Sequence, residues 1–257
     1  MAERLARPPW RARVSTGPRT ALVLAAGLGR RMRPLTETLP KPLLPLGGRT
    51  LLDHVLDRLA EAEVTMAVVN AHWHAARIEA HLAARGKAGL PPATLVRPEA
   101  TLLETGGAAR AARDLLGPDP FYVVNGDSFW LNGPCPALAR LRHAWEAGGA
   151  DCVLLVHRAA QAHAEVGYGD FALDPWGRLR RRGEREVVPY IYAGAQIIGP
   201  ALLEQAPDGA FSMNLLWDRA IAAGRARAVV HDGPWFHLST PADLAEAEAI
   251  LNAGLPG

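Results

Sequence analysis

A short loop rich in glycine and arginine directly follows the first apolar run of the chain and could hold an anion. The run is Ala21–Ala26, and Gly27 ends it. A turn of small residues after a buried strand lets backbone N–H groups approach phosphate oxygens, and arginine side chains add positive charge. The sequence therefore predicts a phosphate site formed by Ala26, Gly27, Leu28, Gly29, Arg30 and Arg31, with Arg33 as a further source of charge.

Two known glycine-rich phosphate loops do not fit this segment. The dinucleotide-binding pattern G-x-G-x-x-G has Met32 at the position of its third glycine, and the sequence lacks the Gly-Lys-Ser/Thr of a Walker A loop. A plain turn between a strand and a helix remains an alternative. Such a turn, however, requires neither several glycines nor the rigid Pro-Lys-Pro that follows at residues 40–42.

Lysine is so scarce in this chain that its position is informative. Of the 28 basic residues other than histidine, 26 are arginine, and only Lys41 and Lys87 are lysine. Lys41 lies between two prolines, which stiffen the backbone on both sides. A compact ammonium group suits an oxyanion whose geometry changes during a reaction, whereas the planar fork of arginine suits a fixed partner. We expect Lys41 to act on a substrate and Lys87, in a glycine-flanked turn, to be an ordinary surface residue.

A carboxylate follows a second apolar run. Phe121–Asn125 is the pattern of a buried strand, and Asp127 comes two residues after it. Ligands of open α/β sheets bind beyond the carboxyl ends of the strands. We therefore expect Asn125 and Asp127 to face the glycine-rich loop, although Asn-Gly-Asp is also a common turn sequence.

Strands and helices must alternate in the first half of the chain to bring these segments together. Apolar runs of strand length alternate with segments of helical spacing, which indicates parallel crossovers and an α/β sheet covered by helices on both faces. Predicted strands are 21–26, 66–70, 94–97 and 121–125, and predicted helices begin after Thr50 and cover 73–85 and 104–116.

The second half has a more mixed pattern. Turn signals such as Asp-Pro-Trp-Gly at residues 174–177 indicate antiparallel strands, and Thr240 followed by Pro241 marks the start of a last helix. Predicted strands are 152–157, 167–173, 178–182, 190–198 and 226–231, and predicted helices are 137–147, 212–223 and 241–252. We predict one domain over 20–253, with a nucleotide-binding half at 20–135 and a second-substrate half at 136–253.

Composition excludes several classes of protein. The apolar fraction of 49% is ample for a core, and the longest apolar run is too short to span a membrane. Five arginines and one glutamate in residues 1–20 account for the net charge of +2, so the remainder is slightly acidic and does not resemble a nucleic-acid binder. Residues 1–19 are expected to be a flexible extension. Cys135 and Cys152 form no framework, which favours a reducing cytoplasm.

The two motifs of the loop carry a resemblance to a known family. Leu-Ala-Ala-Gly-x-Gly-x-Arg-Met-x-Pro-Leu-Thr at 24–36, followed by Pro-Lys-Pro-Leu-x-Pro at 40–45, resembles the signature of the sugar-1-phosphate nucleotidyltransferases. The similarity extends from about Thr20 to Ala253. Further matches are Leu-Glu-Thr-Gly-Gly at 103–107, Asn-Gly-Asp at 125–127 and Gly-Asp-Phe at 169–171. Together they resemble most the bacterial uridylyltransferases that act on N-acetylmuramate 1-phosphate.

The resemblance implies a fold and a set of site residues. The fold is a Rossmann-like three-layer α/β sandwich with a mainly parallel central sheet and a small antiparallel substrate region. The implied catalytic residues are Arg31, Lys41 and Asp127. The implied nucleotide contacts are the glycine-rich loop, Lys41, Asn125 and a base-reading segment formed by Glu104, Thr105 and Gly106. The implied sugar-phosphate contacts are Gly169, Asp170, Tyr192 and Gly194.

The resemblance also implies a metal site, in which this chain departs from the family. Asp127 would bind Mg²⁺ that bridges the phosphates, but His237 replaces the aspartate that usually supplies a second ligand. Imidazole is a poor ligand for Mg²⁺ and a better one for Mn²⁺ or Zn²⁺. Three alternatives follow: His237 ligates Mn²⁺, it contacts phosphate as an imidazolium while Asp127 alone holds Mg²⁺, or it marks a weakened enzyme. We favour the second.

The implied reaction transfers a nucleoside monophosphate from a triphosphate to a sugar 1-phosphate and releases pyrophosphate. UTP and N-acetylmuramate 1-phosphate are the expected substrates, which would place the reaction in the recycling of cell-wall sugars. A guanylyl- or thymidylyltransferase is an alternative, and a catalytically weak regulator that binds nucleotide sugars is an alternative of another class. We expect a cytoplasmic monomer or small homo-oligomer with neither nucleic acid nor membrane as a partner.

Overall fold

A computed structural model describes residues 17–164, 166–204 and 206–254 of the chain. Most of the arginine-rich extension that we predicted at residues 1–19 lies outside these residues. In the described ranges, every helix is too short or too polar to cross a lipid bilayer.

Short helices and strands alternate along the chain. The helices are α1 (Leu51–Glu61), α2 (Ala75–Lys87), α3 (Glu104–Ala111), α4 (Arg113–Leu116), α5 (Ala137–Glu146), α6 (Ala201–Glu204), α7 (Asn214–Ala222) and α8 (Pro241–Ala253). The strands are β1 (Thr20–Leu24), β2 (Pro45–Leu46), β3 (Arg49–Thr50), β4 (Met66–Ala71), β5 (Ala93–Pro98), β6 (Phe121–Asn125), β7 (Phe129–Trp130), β8 (Cys152–Arg158), β9 (Phe171–Leu173), β10 (Leu179–Arg181), β11 (Tyr190–Ile198), β12 (Ala226–Val230) and β13 (Trp235–Phe236). Single turns of 3-10 helix occur at Arg30–Met32, Lys41–Leu43 and Ala159–Gln161.

The central sheet is mainly parallel, as predicted. Its strands lie in the order β12-β8-β11-β6-β1-β4-β5. Strand β11 alone among them is antiparallel to its neighbours β6 and β8. The hairpin β9–β10 adds to β11 through the pairing of Phe171 with Tyr190. Consequently the amino end of β11 lies at the same sheet edge as the carboxyl ends of β1, β4 and β6.

Helices cover both faces of the sheet because consecutive strand residues point to opposite sides. Val23, Val69 and Val124 belong to one apolar cluster, which also contains residues of α1, α2 and α5. Their chain neighbours, such as Leu22 and Val123, belong to another cluster with residues of α3, α4 and α7. The result is a three-layer α/β sandwich, which confirms the predicted fold class.

A third, smaller apolar cluster lies under the glycine-rich loop. It contains Met32 from the turn Arg30–Met32, Leu44 directly after the turn Lys41–Leu43, Phe129 of β7, Phe236 of β13 and Leu244 of α8. Met32 is 1% exposed. Met32, which stands where the dinucleotide-binding pattern requires glycine, therefore packs in this cluster and fixes the loop to the rest of the protein.

Several element boundaries differ from the sequence prediction. Helix α2 begins at Ala75 rather than at Trp73, because the Trp73 indole donates a hydrogen bond to the Thr36 carbonyl and His74 has a left-handed backbone. The helix predicted over 104–116 is divided at Ala112 into α3 and α4. The strand predicted over 167–173 is limited to Phe171–Leu173.

Candidate active site

The glycine-rich loop is held in one shape by hydrogen bonds at both of its ends. At its start, the Ala25 N–H donates to Asn70 Oδ1 over 2.7 Å. At its end, the carbonyl oxygen of Gly29 accepts hydrogen bonds from Thr36 Oγ1 at 2.8 Å and from the Met32 N–H at 2.9 Å. Gly29 has φ of 59°, which favours glycine, and a Cβ there would crowd the Thr36 side chain.

Gly27 has a different role from Gly29. It is exposed, and a Cβ placed on it would contact nothing within 4 Å. Space is therefore open above its backbone, which is what close approach of a phosphate requires.

Lys41 and Asp127 form an ion pair at the centre of the site. Lys41 lies in the single-turn helix after Pro40, and its Nζ donates to Asp127 Oδ2 over 2.6 Å. The lysine side chain is 15% exposed and the aspartate 31%. Asp127 follows β6, so the strand end presents the carboxylate to the loop that carries the lysine. The ion pair was not evident from the sequence, in which the two residues lie 86 positions apart.

Three adjoining cavities meet at Asp127, and each is named after the group that the sequence prediction assigns to its lining. The phosphate cavity, of about 250 Å³, is lined by Gly27, Gly29, Arg30, Arg31 and Lys41. The base cavity, of about 350 Å³, is lined by Ala26, Asn70, Glu99, Glu104, Thr105 and Asn125. The acceptor cavity, of about 340 Å³, is lined by Arg31, Lys41, Asp170, Arg181, Tyr192, Gly194 and His237. Asp127 lines all three cavities.

The cavities include most, but not all, of the residues that we singled out from the sequence. Within the described residues, their linings do not include Leu28, Gly106 or Gly169. The Gly106 N–H donates to the Phe211 carbonyl, and a Cβ at Gly106 would collide with the Phe211 ring. Gly106 therefore packs α3 against the segment before α7. Gly169 packs in a similar way against the Val188 carbonyl.

A buried polar pair supports the floor of the base cavity. Asn70 Nδ2 donates to Glu99 Oε1 over 2.8 Å, and Glu99 Oε2 accepts a hydrogen bond from the Leu103 N–H at 3.2 Å. Both side chains are less than 10% exposed. The pair connects the start of the glycine-rich loop to the start of α3. We did not single out these residues, although a polar residue at the end of a buried strand was a usable signal.

The acceptor cavity is shaped by an irregularity in β11. The register between β11 and β8 shifts between Tyr192 and Gln196, and Gly194 has φ of 84° there. A Cβ at Gly194 would collide with the Ser128 hydroxyl. Asp170 stabilises this conformation, since its Oδ2 accepts a hydrogen bond from the Tyr192 N–H at 2.9 Å. Bulges of this kind commonly redirect side chains next to active sites.

His237 lies beside the cationic part of the site. Burial lowers its pKa from 6.5, and the nearby charges of Lys41 and Arg31 lower it further. Its Nε2 lies 2.9 Å from Ser239 Oγ. These surroundings favour a neutral imidazole beside the Ser239 hydroxyl, so the imidazolium favoured from the sequence would require the negative charge of a bound phosphate.

The donor set at Asp127 suits a metal ion that enters together with phosphates. Among the described residues, no group of three or more histidine, cysteine, aspartate or glutamate side chains could hold a metal ion. Mg²⁺ keeps several waters and commonly takes one or two carboxylates plus phosphate oxygens. One accessible carboxylate beside a phosphate cavity fits that pattern, whereas a metal cage made of protein ligands alone does not fit.

Comparisons with known proteins identify the family and the relatives of this chain. Residues 21–197 match the family model of the MobA-like NTP transferase domain. An N-acetylmuramate alpha-1-phosphate uridylyltransferase of Caulobacter vibrioides is 40% identical over 239 residues, which cover 93% of this chain and 99% of that protein. A mannose-1-phosphate guanylyltransferase of Mycobacterium tuberculosis is 29% identical over 91% of this chain and 65% of its own length. The crystal structure of a UDP-glucose pyrophosphorylase with UDP-glucose superposes with a TM-score of 0.76 at 15% identity, over 92% of this chain and 99% of that one.

Proposed function

Because the chain belongs to the MobA-like NTP transferase family and is a sugar-1-phosphate nucleotidyltransferase, we propose that it transfers uridylyl from UTP to N-acetylmuramate 1-phosphate. The observation that supports this proposal most is the Lys41–Asp127 pair at the junction of the three cavities. A triphosphate, a base and an acceptor would each occupy one cavity and meet at that pair.

The nucleotide would occupy the phosphate and base cavities. Backbone N–H groups near Gly27 and Gly29 would bind the triphosphate, and Arg30 and Arg31 would offset its charge. The base would lie near Glu104 and Thr105. The Thr105 hydroxyl already accepts a hydrogen bond from the Met213 N–H, so we assign this segment a positioning role in which shape contributes to base selection.

The sugar phosphate would enter the acceptor cavity from the other side of Asp127. One of its phosphate oxygens attacks the α-phosphorus of UTP, a new P–O bond forms, and the bond to the bridging oxygen of the leaving pyrophosphate breaks. The attacking phosphate is already ionised, so the protein needs no general base. Its contribution is to position two anions and to stabilise the charge of the transition state. We assign this role to Lys41, with Arg31 as a second positive charge that lines the same two cavities.

Nucleotidyltransferases of this kind generally use a divalent metal. We assign the metal contact to Asp127, with the phosphates and water as the other ligands. When bound, Mg²⁺ would offset phosphate charge and hold the phosphate oxygens in one arrangement. We assign His237 to a neutral hydrogen bond with Ser239 that shapes the wall of the cavity. Ligation of Mn²⁺ by His237 is the alternative role, and replacing Mg²⁺ with Mn²⁺ in the assay tests it.

Two other functions make different predictions. The guanylyltransferase similarity covers most of this chain, but at lower identity than the uridylyltransferase similarity. A regulator that only binds nucleotide sugars would not need a lysine of low exposure paired with the carboxylate at the phosphate cavity.

Two free cysteines and the triphosphate substrate support a cytoplasmic site of action.

A pyrophosphate-release assay tests the proposal. The purified chain is incubated with Mg²⁺, each of the four nucleoside triphosphates and each of several sugar 1-phosphates. We expect the highest kcat/KM with UTP and N-acetylmuramate 1-phosphate. Highest turnover with GTP and mannose 1-phosphate would establish the guanylyltransferase instead. Nucleotide binding without pyrophosphate release from any pair would establish the regulator.

A further inference from the structure

Arg181 is a third basic side chain of the acceptor cavity, and it stands apart from the other two. Lys41 and Arg31 line both the phosphate cavity and the acceptor cavity, whereas Arg181 lines the acceptor cavity alone. It is the last residue of β10, in the hairpin that extends β11. The charge of Arg181 is therefore placed where the body of an acceptor would lie, away from the glycine-rich loop.

The guanidinium group of Arg181 is held in place on three sides. Its Nη1 donates to Asn214 Oδ1 over 3.0 Å, and its Nε lies 3.3 Å from Asp218 Oδ1. Its central carbon lies 5.5 Å from the centre of the Phe171 ring. Within the described parts of the chain, its Nη2 has no hydrogen-bond partner. Because these contacts already fix the guanidinium group and Nη2 can still donate a hydrogen bond, Arg181 can bind an anion at little cost in side-chain entropy.

The neighbours of Arg181 do not neutralise it strongly. Its side chain is 36% exposed and that of Asp218 is 54% exposed. Ion pairs with that much exposure contribute little to stability, and they leave the arginine able to bind another carboxylate. Asn214 also lines the cavity, and its amide Nδ2 can donate to the same anion because its Oδ1 accepts from Arg181.

We propose that Arg181 and Asn214 bind a carboxylate of the acceptor sugar and so select a sugar 1-phosphate that carries a second anionic group. The inference rests on the proposed function, because it assigns the cavity of about 340 Å³ to the acceptor. N-acetylmuramate 1-phosphate fits this chemistry. Its phosphate and the carboxylate of its lactyl ether are attached to different ring carbons, so one end can face Lys41 while the other faces Arg181.

Two other roles for Arg181 predict different results. If it bound the phosphate of the acceptor, its removal would impair every sugar 1-phosphate equally. If it only fastened the β9–β10 hairpin to α7, its removal would lower stability and again impair all acceptors alike. Selection of a carboxylate predicts that the loss depends on which acceptor is used.

The test compares two acceptors and two variants. N-acetylglucosamine 1-phosphate is N-acetylmuramate 1-phosphate without the lactyl ether. The variant is Arg181→Gln, and the matched control is Arg180→Gln, since Arg180 is the preceding residue of β10 and pairs with Glu186 at the surface. Steady-state kinetics of pyrophosphate release, calorimetric binding of each sugar phosphate and thermal unfolding are measured for all three proteins.

For Arg181→Gln we expect kcat/KM with N-acetylmuramate 1-phosphate to fall by about tenfold to a hundredfold, mostly through KM. With N-acetylglucosamine 1-phosphate the change should be within about twofold, and Arg180→Gln should change neither. Equal losses with both acceptors would overturn the inference, as would wild-type binding that does not distinguish them. If the wild type released no pyrophosphate but bound N-acetylmuramate 1-phosphate in an Arg181-dependent way, the proposed function would fail while this inference stood.

Discussion

Replacing Lys41 with alanine tests the central assignment of charge in the site. A unit positive charge about 4 Å from a phosphate oxygen contributes about 4 kcal/mol at the effective dielectric of a partly buried site. The Lys41 side chain is 15% exposed, so the dielectric of a partly buried site applies to it. If about 3 kcal/mol of this charge–charge interaction stabilises charge that develops only in the transition state, the kcat of Lys41→Ala falls by about a hundredfold or more.

The chain supplies its own control for this experiment. Lys87 is its only other lysine, and it lies exposed at the carboxyl end of α2. We expect Lys87→Ala to retain wild-type kcat and KM. Lys41→Arg should recover little activity, because a planar fork does not reproduce a compact charge between two prolines.

Thermal unfolding separates chemistry from stability in the Lys41→Ala variant. The pair with Asp127 is partly exposed, so its loss should lower the Tm by no more than a few degrees. Near-wild-type turnover of Lys41→Ala would refute the role that we assign to the lysine. A large drop in Tm together with lost activity would show instead that the pair is mainly structural.

Three further outcomes are expected. Gly194→Ala should destabilise the fold by about 1 to 3 kcal/mol and raise KM for the acceptor, because φ is positive and a Cβ would strike Ser128. In denaturant unfolding the control Gly86→Ala should instead stabilise the fold by up to about 1 kcal/mol, because Gly86 lies in α2 with open space around it. Burial lowers the pKa of His157 and His231 from 6.5, so the unfolded chain binds more protons and the Tm should fall as pH drops below about 6.5; a Tm unchanged down to pH 5 would contradict this. Chelation by EDTA should abolish turnover, with recovery on adding Mg²⁺, and should leave the Tm unchanged, whereas a Tm shift would indicate a resident metal.

The nucleotide side of the site could be predicted because its signals are local. Asn125 ends the buried strand β6 and Asp127 follows it, and the glycine-rich loop follows the parallel neighbour β1. Carboxyl ends of parallel strands meet at one edge, so the two segments had to lie close together. The order of elements and the mainly parallel sheet followed from the same alternation of strands and helices.

The acceptor side could not be predicted in the same way. Arg181 and Asn214 come together only because β9 pairs with the end of β11 and α7 packs nearby, and neither contact has a signature in the sequence. The protonation of His237 depends on the burial and the charges that the folded chain places around it. Gly106, which the resemblance assigns to the nucleotide, lies outside the cavity linings given for the described residues and packs closely against Phe211.

The reversed direction of β11 has a consequence for how substrate choice can change over time. The glycine-rich loop, Lys41 and Asp127 belong to segments that precede β11, whereas Asp170, Tyr192, Gly194 and Arg181 belong to β11 and the hairpin paired with it. The proposed function therefore predicts that substitutions in the β9–β10 hairpin change the choice of acceptor sugar more than the choice of nucleotide. We therefore expect a graft of residues 169–194 between relatives to alter sugar specificity while the nucleotide preference is kept.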